Sequence, residues 1–180
     1  MSGRRNVVLV GFMGTGKSTV GRIVAAELEF EFLDTDAVIE DRHGPIAQIF
    51  ADDGEVTFRT YERDVTKELA GRSGLVVATG GGLVLDPSNV AELIDHTDVF
   101  CLVAPAAEVL RRVSVDGSAA GRPLLASPDP EARITELLDE RADAYGRFPQ
   151  INTANRSPSE IAKDIINRYT AGACQASSSP

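Results

Sequence analysis

The chain has 180 residues, 43% of them hydrophobic and 25% charged, with a formal net charge of −9. That size and balance belong to one soluble domain with a full core, and the acidity argues against a nucleic-acid partner or an anionic membrane surface. No apolar run reaches membrane-spanning length, and the first is too short for a secretory leader. Cys101 in an apolar run and Cys174 in a polar tail form neither a metal pattern nor a disulfide framework, and His43 and His96 stand isolated, so the expected setting is a reducing cytoplasm.

Taken in chain order, Asn6–Val10 reads as a short apolar strand that runs into Gly11-Phe12-Met13-Gly14-Thr15-Gly16-Lys17-Ser18. This is G-x-x-x-x-G-K-[ST] between a strand and a helical pattern, Lys17–Leu28, the setting that marks a phosphate-binding loop. Its glycines let backbone N–H groups wrap a polyphosphate, and the helix N-terminus adds partial positive charge. Lys17 is expected on the β- and γ-phosphates and Ser18 on Mg²⁺. A second short strand, Phe30–Asp34, ends in Leu33-Asp34-Thr35-Asp36. If both carboxylates lie in extended chain they point the same way, toward the crevice; the competing role for Asp36 is to cap the helix that follows.

Helices are predicted over Asp36–Arg42, Ile46–Ala51 and Glu55–Gly71, broken at Gly44-Pro45 and Asp52-Asp53-Gly54. Within the third, Arg59 is a carboxylate or phosphate ligand in one reading and a solvated partner of Glu62 in the other. Leu75–Ala78 is a third strand, ending in Thr79-Gly80-Gly81-Gly82, where close approach of a ligand to backbone competes with a plain flexible turn. No Asp ends this strand in the usual metal-carboxylate position, which leaves Asp34 as the replacement. Pro87–Asp95 is helical, Val99–Val103 a fourth strand, and Ala106–Val113 a helix leading into the small-residue segment Ser114–Gly121. Arg122 follows that segment, as a lid arginine would. Pro130–Gly146 reads as one long helix carrying Arg141, which is either a ligand or an ion-pair partner of nearby acids. A short strand near Gln150–Thr153, a helix over Pro158–Tyr169 and a disordered tail from Ala171 to Pro180 complete the chain. The strands are continuous apolar runs, the pattern of a parallel sheet covered on both faces, so the fold class is a doubly wound α/β domain with ligands beyond the carboxyl ends of the strands.

Together, the glycine loop, Leu33-Asp34-Thr35-Asp36, Phe58-Arg59, Gly80-Gly81-Gly82, Arg122-Pro123-Leu124-Leu125 and Arg141, in this order and spacing, closely resemble shikimate kinase from about Val7 to Tyr169. The resemblance implies a three-layer P-loop kinase fold with a five-stranded parallel sheet of order 2-3-1-4-5 in one domain spanning residues 1–170. A substrate-binding region at about 34–62 and a lid at about 113–126 belong to that domain. It implies transfer of the ATP γ-phosphoryl group to the 3-hydroxyl of shikimate, with ATP and Mg²⁺, by a cytoplasmic monomer with no nucleic-acid or membrane partner. Carried onto this chain, Gly14, Thr15, Gly16, Lys17, Ser18 and Thr19 hold the phosphates, and Ser18 with Asp34 serves the metal. Asp36 contacts the acceptor hydroxyls as candidate base, Arg59 and Arg141 clamp the carboxylate, and Gly80, Gly81 and Gly82 supply backbone contacts. Arg122 closes on the phosphates, and Arg112 and Arg156 frame adenine. Asp36, Lys17 and Arg122 form the catalytic set. The chain departs from many relatives in having Ala119-Ala120-Gly121, not an Asp-Lys pair, before Arg122.

Two other readings remain at this point. A kinase for another small hydroxylated acid or a nucleoside monophosphate shares the loop, although two arginines and Asp36 suit a carboxylate-bearing acid better than a base. A GTP-binding switch would use Asp41-Arg42-His43-Gly44 as D-x-x-G, but no Asn-Lys-x-Asp sequence accompanies it.

Overall fold

The structure, a computed structural model, describes residues 5–94, 97–115 and 128–176. Five strands, β1 (Asn6–Val10), β2 (Glu31–Asp34), β3 (Leu75–Ala78), β4 (Thr97–Val103) and β5 (Gln150–Asn152), form one sheet in the order β2-β3-β1-β4-β5. All four pairings are parallel. Parallel neighbours need crossovers; of the nine helices among the described residues, eight lie between strands and the ninth follows β5. They are α1 (Lys17–Leu28), α2 (Thr35–His43), α3 (Ile46–Asp52), α4 (Gly54–Ala70), α5 (Pro87–Ile94), α6 (Ala106–Val115), α7 (Pro130–Glu140), α8 (Ala142–Gly146) and α9 (Pro158–Ala176).

The continuous apolar runs have the predicted cause. Val7, Leu9, Val76, Phe100, Leu102 and Ile151 face one layer, packed on Val20 and Val24 of α1 and Ile161 and Ile165 of α9. Val8, Val10, Val77 and Cys101 face the other, on Ile39, Phe58, Val65, Leu93 and Ile134. Alternate residues of one strand therefore serve two cores, and the buried polar residues of β1 and β4, Asn6 and Thr97, stand at the strand starts.

Several element ends shift by one or two residues from the sequence expectation, and four differences have a visible cause or consequence. β4 starts at Thr97 rather than Val99, because Asn6 and Val7 of β1 pair with Thr97 and Asp98, and Arg5 binds both. A 3₁₀ turn, Leu83–Leu85, follows Gly82 and buries Leu83 and Val84. The segment read as one helix over Pro130–Gly146 is two, α7 and α8, separated by Arg141 at φ −103°, ψ 1°, the sparsely populated bridge region. The last helix runs to Ala176, so residues 171–176, expected as part of a disordered tail, continue it. Ala171, Ala173 and Ala176 favour helix, no proline interrupts them, and a single Gly172 costs only about 1 kcal/mol. The expected lid from residue 116 onward, with Arg122, lies outside the described residues.

β1 ends against β4 with no room for a side chain. Gly11 has φ +132°, and a Cβ there would overlap the Leu102 carbonyl oxygen, a backbone atom that cannot step aside. Gly11→Ala is expected to lower unfolding free energy by about 3 kcal/mol or more in urea titration. Gly172→Ala, on an open helical position with nothing within 4 Å, is expected to leave it unchanged or raise it by up to about 1 kcal/mol.

Candidate active site

Because every strand is parallel, the carboxyl ends of β1, β2 and β3 deliver their following loops to one edge of the sheet. There the glycine loop floors a cleft of about 990 Å³. Asp34, Asp36 and Gly81 line one end, and Arg112, Asn155 and Pro158 the other. Gly14, Thr15, Gly16, Lys17, Ser18 and Thr19 all border it between these ends. Lys17 Nζ donates to the carbonyls of Gly11 and Phe12 at 2.8 and 2.9 Å, so its ammonium lies across its own loop. Thr15 Oγ1 donates to the Phe12 carbonyl at 2.7 Å and locks the turn from inside.

Ser18 Oγ donates to Asp34 Oδ2 at 2.6 Å. The hydroxyl that opens α1 and the carboxylate that ends β2 thus meet over the loop, two hard oxygen donors of the kind Mg²⁺ takes alongside phosphates and water. The other oxygen of Asp34 accepts from Asp36 N at 3.1 Å, so Asp34, not Asp36, caps α2. This corrects the sequence reading twice: Asp36 lies in the first helical turn, not in extended chain, and it is relieved of capping.

Gly80-Gly81-Gly82 face three charged side chains in turn. A methyl group on Gly80 would strike Asp36 Oδ1, one on Gly81 would stand 3.8 Å from Arg141 Nη1, and one on Gly82 would stand 2.5 Å from Arg59 Nη1. The segment is held rather than loose: Gly80 N–H donates to Thr35 Oγ1 at 2.9 Å, and Gly81 O accepts Tyr145 Oη–H at 2.6 Å. The flexible-turn alternative is therefore set aside. The missing side chains at Gly80 and Gly82 are what let Asp36 and Arg59 approach the segment, while Arg141 stands at ordinary contact distance from Gly81.

Arg59 does pair with Glu62, at 2.7 Å, and with Glu55, at 2.8 Å. The pair is not the solvated one expected from sequence, since the Glu62 side chain is only 1% exposed. Glu62 is the site residue that sequence reasoning passed over. Its i,i+3 spacing to Arg59 was the available signal, but burial is not written in spacing. Arg141 has no carboxylate partner among the described residues; it lies 5.3 Å above the Phe12 ring and reaches Gly81 O at 3.4 Å. Arg112 is tied to Glu108 at 2.7 Å, to Thr153 O at 2.8 Å and to Gly14 O at 3.3 Å, which joins the end of the cleft away from Asp36 to the glycine loop. Arg156 borders the same end but turns onto α9, bonding Asp164 at 3.2 Å and Glu160 O at 3.0 Å.

Two buried carboxylate oxygens, Asp36 Oδ1 and Glu62 Oε1, have no hydrogen-bond partner among the described residues. Burial, reinforced by Asp34, pushes the Asp36 carboxyl up to about 6, against the opposing pull of Lys17. Burial likewise raises Glu62, with Arg59 drawing it back. Such orphaned acceptors are what hydroxyl donors of a ligand would satisfy.

The family model for shikimate kinase matches residues 13–170. A shikimate kinase of Caldanaerobacter subterraneus subsp. tengcongensis is 42% identical over 168 residues, 92% of this chain and 96% of that one. A solved shikimate kinase from Acinetobacter baumannii in complex with shikimate superposes with a TM-score of 0.86 at 38% identity, covering 94% of each chain. One from Aquifex aeolicus superposes at 0.77 with 29% identity, covering 94% of this chain and 98% of that one.

The raised Asp36 carboxyl has a stability consequence. Unfolded, the group ionises near 3.8; folded, near 6. Below about pH 3 it is largely protonated in both states and costs nothing, the penalty grows as pH rises from there to about 6, and above that the folded state carries a penalty of order 3 kcal/mol at most. Asp36→Asn is expected to raise the Tm of the ligand-free protein at pH 7.5, with a clearly smaller gain at pH 4.5. Scanning calorimetry at both values checks this, and no gain at pH 7.5 contradicts it.

Proposed function

The chain belongs to the shikimate kinase family, which transfers the γ-phosphoryl group of ATP to the 3-hydroxyl of shikimate, and on that premise we propose how its cleft divides the work. The single observation that carries the division is the glycine triplet. It brings one carboxylate and two guanidiniums together beside the phosphate loop, matching a compact acid with several hydroxyls. A nucleoside monophosphate could set its phosphate on the two guanidiniums, but its base finds no counterpart in that set.

Phosphoryl transfer needs alignment and charge stabilisation more than covalent help from protein. Backbone N–H groups of Gly14–Ser18 cradle the donor phosphates. Lys17 leaves its two carbonyls for the β- and γ-phosphates, following charge as it develops. Ser18 and Asp34 would hold Mg²⁺, which when bound neutralises the phosphate oxygens. At the acceptor end, Arg59 and Arg141 take the shikimate carboxylate, and Asp36 accepts a hydrogen bond from the 3-hydroxyl and then its proton. A carboxyl near 6 is ionised at neutral pH and is a better base than an ordinary aspartate. Glu62 holds Arg59 in place. Arg112 and Pro158 face the adenine, Arg156 stands at its rim, and Arg122 closes the lid over the phosphates. Cys101 is a free buried thiol, which fits a reducing cytoplasm. Among the described residues no helix is long and apolar enough to cross a membrane.

Coupled ADP release with Mg-ATP tests the reading: turnover is expected with shikimate and not with gluconate or AMP, and its loss in EDTA tests the metal. Asp36→Asn is expected to cut kcat by about 100-fold or more while ATP affinity stays within about two-fold. Arg59→Ala should raise the shikimate KM by about 10- to 100-fold. For the wild type, kcat/KM for shikimate should climb between pH 5 and 7 with an apparent midpoint near 6, because only ionised Asp36 accepts the proton. A profile flat across that range would remove Asp36 as the base.

A further inference from the structure

We infer that Tyr145 is a positioning residue for the acceptor clamp: by holding the Gly81 carbonyl, its hydroxyl keeps the Arg141 guanidinium free to face the substrate carboxylate. The inference rests on the reading of Arg141 as a carboxylate ligand.

Arg141 stands at the break between α7 and α8, and Tyr145 lies one turn further on, its N–H bonded to the Arg141 carbonyl at 3.0 Å. The tyrosine is buried at 4% exposure, and its hydroxyl reaches across to β3's following loop to donate to Gly81 O at 2.6 Å. Arg141 Nη1 approaches the same oxygen at only 3.4 Å. The phenol is therefore the principal donor and the guanidinium a marginal one. With the Phe12 ring beneath Arg141, the planar fork is bounded on one face by an aromatic ring and at one edge by the Tyr145–Gly81 pair. No carboxylate neutralises it among the described residues, so its remaining N–H groups are available to an incoming anion. Burial raises the Tyr145 phenol, opposed by a side-chain interaction with Arg141 and by its charge, so the phenol stays a neutral donor and its oxygen also touches one edge of the guanidinium.

Without the hydroxyl, Gly81 O would lack its strong donor, and the nearest replacement is Arg141 itself. Moving onto that oxygen would turn the fork away from the substrate. The ring belongs to the larger core cluster, so phenylalanine preserves the packing and removes only the O–H.

The test is Tyr145→Phe in the full chain, by steady-state kinetics and melting. The expected result is a shikimate KM raised about ten-fold, an ATP KM within about two-fold and a kcat within about three-fold, corresponding to one lost charge-orienting hydrogen bond. The neutral methyl ester of shikimate should be turned over equally well by variant and wild type, and Tyr145→Phe should add nothing in an Arg141→Ala background. An unchanged shikimate KM overturns the inference, as does an equal loss on acid and ester, a full additional loss on top of Arg141→Ala, or a variant that does not fold. Failure of the underlying clamp would look different: Arg141→Ala would itself leave the shikimate KM unmoved.

Discussion

The site depends on the point where β1 runs out against β4. Gly11 sits there with no space for a Cβ beside the Leu102 carbonyl, and the chain has to leave the sheet at that residue in a conformation no other side chain accepts easily. Everything on the donor side follows. The loop turns back over the sheet edge, Lys17 folds across it, and α1 begins with its N–H groups aimed at the cleft. Because β3 and β4 flank β1 in parallel register, the Gly80–Gly82 segment and the start of α6 arrive at the same edge. A phosphate cradle and an acceptor pocket are thereby placed side by side by strand pairing, before any charged contact is made.

The acceptor pocket is built the opposite way, from groups the ligand-free fold does not satisfy. Asp36 and Glu62 each bury a carboxylate oxygen without a partner among the described residues, and Arg141 lies over the Phe12 ring beside Gly81 without a counter-charge among them. These are costs to stability, tolerated because the two cores above and below the sheet are continuous and apolar. The local devices that hold them in place are modest: Asp34 caps α2 and holds the Ser18 hydroxyl, Thr35 holds Gly80, Glu62 holds Arg59. Binding of a polyhydroxy acid would supply the donors and the anion that these groups lack.

Much of this was legible in local pattern. β1, α1 and β3 stand where strand and helix signals place them, because apolar runs, glycine breaks and capping residues act over a few neighbours. The phosphate loop was legible for the same reason: its function needs contiguous residues. Arg141 shows the limit. Helical propensity continues through it from α7 to α8, yet the chain breaks there, where the side chain meets the Phe12 ring and the Gly81 carbonyl, 129 and 60 positions away in sequence. Glu62 shows it again, as a charge in a helical i,i+3 pair whose burial depends on what the third strand delivers opposite it.

The sequence by itself determined the parallel α/β class, the donor loop, and, through the ordered set Asp34, Asp36, Arg59, Gly80–Gly82 and Arg141, the family and its reaction. These are matters of residue type at short or fixed spacing. Only the tertiary structure decided that Asp34 caps α2 and leaves Asp36 free, that Glu62 is buried behind Arg59, and that Tyr145 brackets Arg141 through Gly81. Each of those depends on which distant segments the sheet order brings within hydrogen-bond reach, and on how much water is excluded when they meet.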